Sequence, residues 1–204
     1  MKRLLLSAVL AASSVSCVEG NRAVQILQAN ELGADCSAGE AVLNGFLNYD
    51  LSNAYLANFS IFSPVQATGN NRLDFFGQEI VLNYESENPS VNFTEEAIPV
   101  HLVVSAGETD SNVVVNLIGD KARARLENAV PTFPDVMTLL ASMRIRGEMS
   151  SGSSVETNEV TFPIQITRAG SPCPAGKVLT PEEGTCSNPG QNGQSYTCED
   201  PPAP

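Results

Sequence analysis

The side chains that most often carry out catalysis are few and scattered in this sequence. His101 is the only histidine among 204 residues, and it stands between Val100 and Leu102 in an alternating segment, which is typical of a histidine on one face of a strand. Nucleophilic catalysis usually needs a base beside the nucleophile. The sequence has no Gly-x-Ser-x-Gly, phosphate-binding glycine loop or His-Glu-x-x-His motif. We therefore predict no catalytic residue and no cofactor.

Carboxylates are the second group of side chains that could do chemistry. Glu95-Glu96 and Glu182-Glu183 are adjacent pairs, but neighbours along a strand or loop point apart, so we expect solvated charges. The segment Glu108-Thr-Asp-Ser-Asn112 holds oxygen ligands without the spacing of an EF-hand, and we predict no metal there. The alternative to a non-catalytic protein is a hydrolase, secreted or anchored, whose site is assembled from scattered carboxylates.

Cysteine is the residue type with the clearest expected role. The chain has five, and their spacing does not match a zinc knuckle. If Cys17 carries a lipid, an even number remains for disulfides, namely Cys36, Cys173, Cys186 and Cys198. Four cysteines allow three pairings. We predict Cys36 with Cys173, joining the two ends of the folded domain, and Cys186 with Cys198, closing a local loop.

The first sixteen residues have the order of a secretory signal peptide. Lys2 and Arg3 precede the apolar run Leu4–Ala12, and small residues stand at the third and first places before Cys17. The apolar run is shorter than the roughly 20 residues that a helix needs to cross a bilayer. We therefore predict export, with residues 1–16 removed.

A second feature of this segment predicts an anchor. Val15-Ser-Cys17 resembles the lipobox of bacterial lipoproteins, which are cleaved before a cysteine that then carries the lipid, although Ser14 stands where leucine is usual. We predict lipidation of Cys17, with residues 17–22 as anchor and tether. An ordinary cleaved signal and a secreted product are the alternative.

The net charge restricts the partners. The whole chain has a formal charge of −12, and loss of Lys2 and Arg3 leaves nine basic and 23 acidic side chains, a charge of −14. Such a field repels nucleic-acid phosphates and anionic lipid surfaces. We expect no nucleic-acid partner, membrane contact through the N-terminal lipid alone, and a protein partner in the envelope or at the cell surface.

Alternation of apolar and polar residues predicts strands along most of the chain. After an opening strand at Val24–Gln28 and a turn-rich loop at Ala29–Gly39, the alternating segments are Leu43–Leu51, Tyr55–Ile61, Ile80–Tyr84, Ile98–Val104, Val113–Ile118, Met137–Ile145 and Val160–Ile166. Strands with one polar face need a second apolar layer, so we predict an all-β, two-sheet antiparallel sandwich, immunoglobulin- or fibronectin-like, over residues 23–168, with a closed barrel as the alternative. Pro163 indicates that the last of these strands lies at an edge.

One segment has helical spacing. In Asp120–Ala129, the residues Ala122, Leu126 and Ala129 recur at helical spacing, and we predict a short helix with Asp120 as its N-cap. Its cations Lys121, Arg123 and Arg125 predict a solvated face, with a basic docking face as the alternative. Residues 169–204 are rich in Pro, Gly and Ser, hold three cysteines and lack apolar side chains for a core, which predicts a disulfide-tied tail.

Several of these segments together resemble predicted outer-membrane lipoproteins of the myxobacterial type. They are Gln25-Ile-Leu-Gln-Ala-Asn30 before Cys36, Leu43–Asp50, Tyr55-Leu-Ala57, Thr157-Asn-Glu-Val-Thr-Phe-Pro-Ile164, and Gly190-Gln-Asn-Gly193 before Cys198. The resemblance implies an outer-membrane lipoprotein with a β-sandwich and no catalytic residues. Val18, rather than Asp, after the lipidated cysteine favours the outer membrane. We accordingly expect a non-catalytic envelope lipoprotein that serves structural or binding roles.

Overall fold

Two β-sheets packed face to face form the body of the protein. A computed structural model describes residues 23–64, 73–108, 111–181, 186–194 and 196–201. The predicted signal, Cys17 with its tether, and the Glu182-Glu183 pair lie outside the described residues. No helix in the described residues is long and apolar enough to cross a membrane.

Twelve strands and one helix make up the described part of the chain. In order they are β1 (Gln25–Leu32), β2 (Ala38–Ala41), β3 (Gly45–Asn48), β4 (Leu56–Phe62), β5 (Phe75–Ser86), β6 (Glu96–Val104), β7 (Ser111–Asn116), α1 (Asp120–Leu126), β8 (Met137–Met149), β9 (Ser154–Glu156), β10 (Val160–Thr167), β11 (Val178–Pro181) and β12 (Tyr196–Glu199). As predicted, the helix is inserted between two strands of the sandwich.

The strand order gives a four-stranded and a six-stranded sheet. The first runs β2-β1-β4-β7, the second runs β3-β10-β8-β5-β6 with β9 paired to β8, and β11-β12 form a separate hairpin. The predicted sandwich is confirmed. One pair departs from the antiparallel prediction, because β3 runs parallel to β10. A parallel neighbour requires a crossover connection. Here the chain enters β3 from β2, which belongs to the four-stranded sheet.

The core lies between the sheets, where the alternating faces meet. Along β8 the inward side chains of Met137, Leu139, Ala141, Met143 and Ile145 are at most 5% exposed. Across the core, β4 supplies Ala57, Phe59 and Ile61, none more than 2% exposed. The period-two patterns predicted for both strands are confirmed.

One strand prediction and one loop prediction are wrong in part. The segment Leu43–Leu51 is a strand only at Gly45–Asn48, and Leu43 is 88% exposed, because this part of the chain passes from one sheet to the other. The turn-rich loop is also shorter than predicted, since β1 continues to Leu32 and β2 begins at Ala38.

Pro163 does not mark an edge strand. Its strand, β10, lies between β3 and β8. However, β3 pairs with β10 only from Ile164 onward, so at Pro163 the ladder partner is Leu140 of β8 alone among the described strands. The missing N–H is tolerated where the second neighbour has not yet begun.

The ends of the strands define two poles of the sandwich. The start of β1 lies beside the end of β4, since Gln25 pairs with Phe62, and the end of β4 lies beside the start of β7. We call this end the N-terminal pole. The opposite end, where Tyr84 at the end of β5 meets the segment before the helix, is the α1 pole.

Candidate functional site

All four cysteines assigned to disulfides form them, but the predicted pairing is wrong. Cys36 joins Cys186, and Cys173 joins Cys198, with Cα–Cα distances of 5.1 and 5.6 Å. The tail folds back on itself through the β11–β12 hairpin, which brings the segment after Cys173 beside Cys198. Cys186 then lies at the β1–β2 turn, where its N–H donates to the Ala34 carbonyl.

The N-terminal pole holds the first described residue, Ala23, and is closed by short polar contacts. The Ser63 hydroxyl donates to the Ala23 carbonyl at 3.3 Å, and the Ser63 N–H donates to the Glu108 carbonyl at 3.0 Å. The Asp74 carboxylate accepts from the Ala106 N–H at 3.0 Å. The described part of the chain therefore begins at this pole.

A side-chain amide from the tail links the two sheets near the other pole. Gln191, 1% exposed, accepts from the Leu56 N–H at 2.8 Å and donates to the Leu56 carbonyl at 2.6 Å. Its own backbone forms a bridge with Leu47 of β3. One residue therefore pairs with β3 of one sheet through its backbone and with β4 of the other through its side chain.

The neighbouring tail residue extends this contact. The Asn192 side chain accepts from the Phe46 N–H at 2.8 Å and donates to the Tyr55 hydroxyl at 3.0 Å. The Tyr55 ring passes directly over Gly45, where an added Cβ would stand 2.2 Å from the hydroxyl oxygen. Glycine is required there because of this close approach.

A second amide makes the same kind of link nearer the N-terminal pole. Asn158, between β9 and β10, accepts from the Ile26 N–H at 2.7 Å and donates to the Ile26 carbonyl at 2.9 Å. The register of β1 shifts between Ile26 and Gln28, which frees these backbone groups from the regular ladder.

At the α1 pole, a buried carboxylate caps the helix. The predicted N-cap, Asp120, is the first helical residue, and the N-cap itself is Gly119, which has no side chain to accept a hydrogen bond from the first turn. Instead Glu96, 8% exposed, accepts from the Lys121 N–H at 3.1 Å. Glu96 is therefore not the solvated charge that we predicted, and its negative charge stabilises the helix N-terminus.

Tyr84 makes a second contact with the start of the helix, at the N-cap residue Gly119. Its hydroxyl oxygen accepts from the Gly119 N–H at 3.0 Å. Burial raises the pKa of Tyr84 to about 12, against the lowering effect of this hydrogen bond. The hydroxyl thus stays neutral and available as an acceptor throughout the neutral range.

A groove runs along the outer side of the helix. One cleft, of about 490 Å³, lies between the Asn88–Asn92 loop and the residues Ala124, Arg125, Asn128 and Ala129. A second cleft, of about 290 Å³, is lined by Glu87, Asn88, Ala129, Pro131, Asp135, Val136 and Met137. Because the two share Asn88 and Ala129, they form one elongated depression, which we call the α1 groove.

Phe133 projects from the turn beside this groove. It is 65% exposed, more than any other aromatic side chain in the described residues. Its turn is fixed on both sides, since the Phe133 N–H donates to the Arg168 carbonyl at 2.9 Å and the Thr167 hydroxyl donates to the Asp135 carbonyl at 2.8 Å. The turn therefore presents an exposed aromatic side chain in a fixed position.

The other candidate chemical groups are placed apart from this pole or are ion-paired. His101 is exposed on β6, a surface position as predicted. Arg144 pairs with Glu95, Glu156 and Glu159 at 2.8–3.0 Å on the outer face of the six-stranded sheet. Hydrogen bonds from Arg146 and then Arg144, against the effect of burial, lower the pKa of Glu156, so its carboxylate is held ionised.

No metal site is formed by the residues that the structure describes, since no three His, Cys, Asp or Glu side chains converge there. In the predicted oxygen-rich segment, Glu108 accepts from the Ser105 N–H at 3.0 Å, and residues 109–110 lie outside the described part.

Sequence reasoning missed Gln191, Asn158, Glu96 and Phe133. The Gln191 and Asn158 side chains each bind backbone groups at least 132 residues away, and the Glu96 side chain binds one 25 residues away. A local sequence pattern carries no signal for such contacts. Phe133 had a signal, because an aromatic residue between Pro131 and Pro134 cannot belong to a regular strand and is expected in a fixed loop.

Comparisons with known proteins add no relative. No family model, no curated protein and no solved structure matches this sequence.

Proposed function

We propose that this chain is a non-catalytic lipoprotein of the cell envelope, attached to the outer membrane through Cys17, whose β-sandwich binds a protein partner at the α1 pole. The observation that carries the proposal is the placement of the two poles. The described domain starts at one end, and the helix, the groove and Phe133 lie at the other.

The length of the predicted tether supports a position close to the membrane. Residues 17–22 span at most about 20 Å when fully extended, so the N-terminal pole would stay close to the membrane surface. The α1 pole would then face away from the membrane, where a partner can approach it. Loops on a rigid scaffold are the usual position of binding residues.

The disulfides support export. Both bonds join cysteines that are far apart in the chain, with separations of 150 and 25 residues. Disulfides persist in oxidising compartments and are rare in reducing ones. This favours the envelope or the exterior over the cytosol, and the lipobox-like Val15-Ser-Cys17 favours attachment over free secretion.

Membrane attachment is tested by comparing the wild-type chain with Cys17→Ser. The wild-type protein should incorporate labelled fatty acid and sediment with the outer membrane, whereas Cys17→Ser should do neither. Ser14→Ala serves as the matched control, because it keeps a small side chain at that place. A wild-type chain that stays soluble and unlabelled would contradict the proposal.

A further inference from the structure

The walls of the α1 groove are held in place before any partner binds. On one side the Asn88 N–H donates to the Ser86 hydroxyl at 3.1 Å, and the Ser90 N–H donates to the Asn88 side chain at 3.0 Å. On the other side the Ala129 and Val130 N–H groups both donate to the Leu126 carbonyl. A preformed site loses little conformational entropy on binding.

The two ends of the groove differ in chemistry. At one end Arg125 stands among the amides of Asn88, Asn92 and Asn128. At the other end the apolar side chains of Ala129, Pro131, Val136 and Met137 lie beside the carboxylates of Glu87 and Asp135, and Val136 is 43% exposed. An elongated site with a cation at one end and apolar side chains at the other fits an extended segment better than a compact small molecule.

Arg125 is the cation that the domain itself leaves uncompensated. Its neighbours on the helix are occupied, since Arg123 pairs with Asp120 and the Lys121 ammonium donates to the Glu95 carbonyl at 3.2 Å. Within the part of the chain that the structure describes, the Arg125 guanidinium has no ion pair or hydrogen bond. An exposed cation without a partner in a groove attracts a carboxylate locally.

We infer that the α1 groove binds an extended peptide segment of a partner protein, with an acidic side chain of the segment at Arg125 and an apolar side chain between Pro131 and Val136. The asparagine amides hydrogen-bond the segment's backbone. Phe133 projects from the same turn that carries Pro131 and Val136. This inference rests on the proposed function, since it names the partner chemistry of the same pole.

The inference is tested by selecting a displayed library of random heptapeptides on the whole chain, purified from the envelope in detergent with its disulfides intact. Enriched peptides should carry an aspartate or glutamate together with an apolar residue. Their affinity should fall at least tenfold for Arg125→Glu and for Val136→Asp. A peptide with lysine in place of its acidic residue should bind Arg125→Glu better than the wild-type chain.

Two control variants make the result specific. Lys177→Glu reverses a cation in the tail, and Val114→Asp replaces a valine of similar exposure, 41%, on the four-stranded sheet. Both should keep the affinity within about twofold. All four variants are first shown to unfold like the wild-type chain in denaturant.

Several results would overturn the inference. They are the enrichment of no peptide, enrichment without acidic residues, an affinity that Arg125→Glu leaves unchanged, and self-association of the chain that Arg125→Glu abolishes. Fatty-acid labelling of the same preparation is scored separately. If the chain is labelled and membrane-bound but enriches no peptide, this inference alone is overturned. If the chain is unlabelled and soluble, the proposed function is overturned.

Discussion

The Asn158 and Gln191 amides make the same contact with a strand, but they come from different parts of the chain. Asn158 lies within the sandwich, in the connection between β9 and β10, and binds Ile26. Gln191 comes from the tail that follows β10 and binds Leu56. The first is positioned by strand pairing on both sides. The second is positioned by a segment with few buried apolar side chains, which the Cys36–Cys186 bond attaches to the β1–β2 turn.

This difference shows how the two poles are stabilised. Near the N-terminal pole the fold is held by the sheets themselves and by short polar contacts. Near the α1 pole it also depends on the Cys36–Cys186 bond and on the Gln191 side chain, both of which come from the tail after the last strand of the sandwich. The α1 pole is consequently the region that loss of a disulfide or an amide should loosen first.

The largest expected effect comes from removing the bond that holds the tail. The double variant Cys36→Ala/Cys186→Ala should lower the free energy of unfolding by about 5 kcal/mol in the chain-entropy model, because the bond closes a long loop, whereas Cys173→Ala/Cys198→Ala should cost about 3–4 kcal/mol. Denaturant unfolding measures both. Hydrogen exchange should show lost protection at the Leu56 N–H and retained protection at the Ile26 N–H in the first variant. Equal loss at both amides would contradict the distinction between the regions.

The two amides themselves provide the next test. Gln191→Leu should cost about 2–4 kcal/mol, because it leaves the N–H and carbonyl of Leu56 without partners. Asn158→Leu should cost less, about 1–3 kcal/mol, since Asn158 is only half-buried and water can replace it at Ile26. Urea unfolding of the two single variants gives the comparison. A larger loss in the free energy of unfolding for Asn158→Leu would show that the contact from the tail is not the more important of the two amide contacts.

Alkaline pH should act on the α1 pole through Tyr84. Its pKa is about 12 in the folded chain, above the ordinary value of about 10, so its contribution to stability is complete below pH 10 and is lost as the pH rises toward 12. The loss is at most about 3 kcal/mol. Tyr84→Phe should remove this part of the pH dependence, as measured by unfolding between pH 9 and 12. An unchanged alkaline slope in Tyr84→Phe would assign it to other groups, with Tyr49 and Tyr55 as the candidates, because burial raises the pKa of each.

The sequence predicted the parts of the fold that depend on local pattern. The alternation in β4 and β8 reports directly which side chains face the core, and the spacing of Ala122 and Leu126 in α1 predicted two residues that are at most 1% exposed. Both patterns are set within a few residues, so a single segment contains the whole signal.

The sequence could not predict contacts between segments that lie far apart along the chain. The parallel pairing of β3, the partner of each cysteine and the capping of α1 by Glu96 all depend on where a distant segment comes to lie. Four cysteines in an exported chain predict two bonds, but the pairing follows from the β11–β12 hairpin and the position of the β1–β2 turn. For the candidate site, the cations of α1 were visible in the sequence, whereas the unpaired state of Arg125 and the groove beside it required the structure.

The central claim is that the chain is fixed to the membrane at Cys17, with its N-terminal pole toward the lipid. Mass spectrometry of the N-terminal peptide, released by proteolysis from the membrane fraction, tests this claim most directly. The account predicts a first residue Cys17 whose mass includes two or more acyl chains, as stable attachment requires. An unmodified Cys17, or a mature chain that begins at another residue, would contradict it.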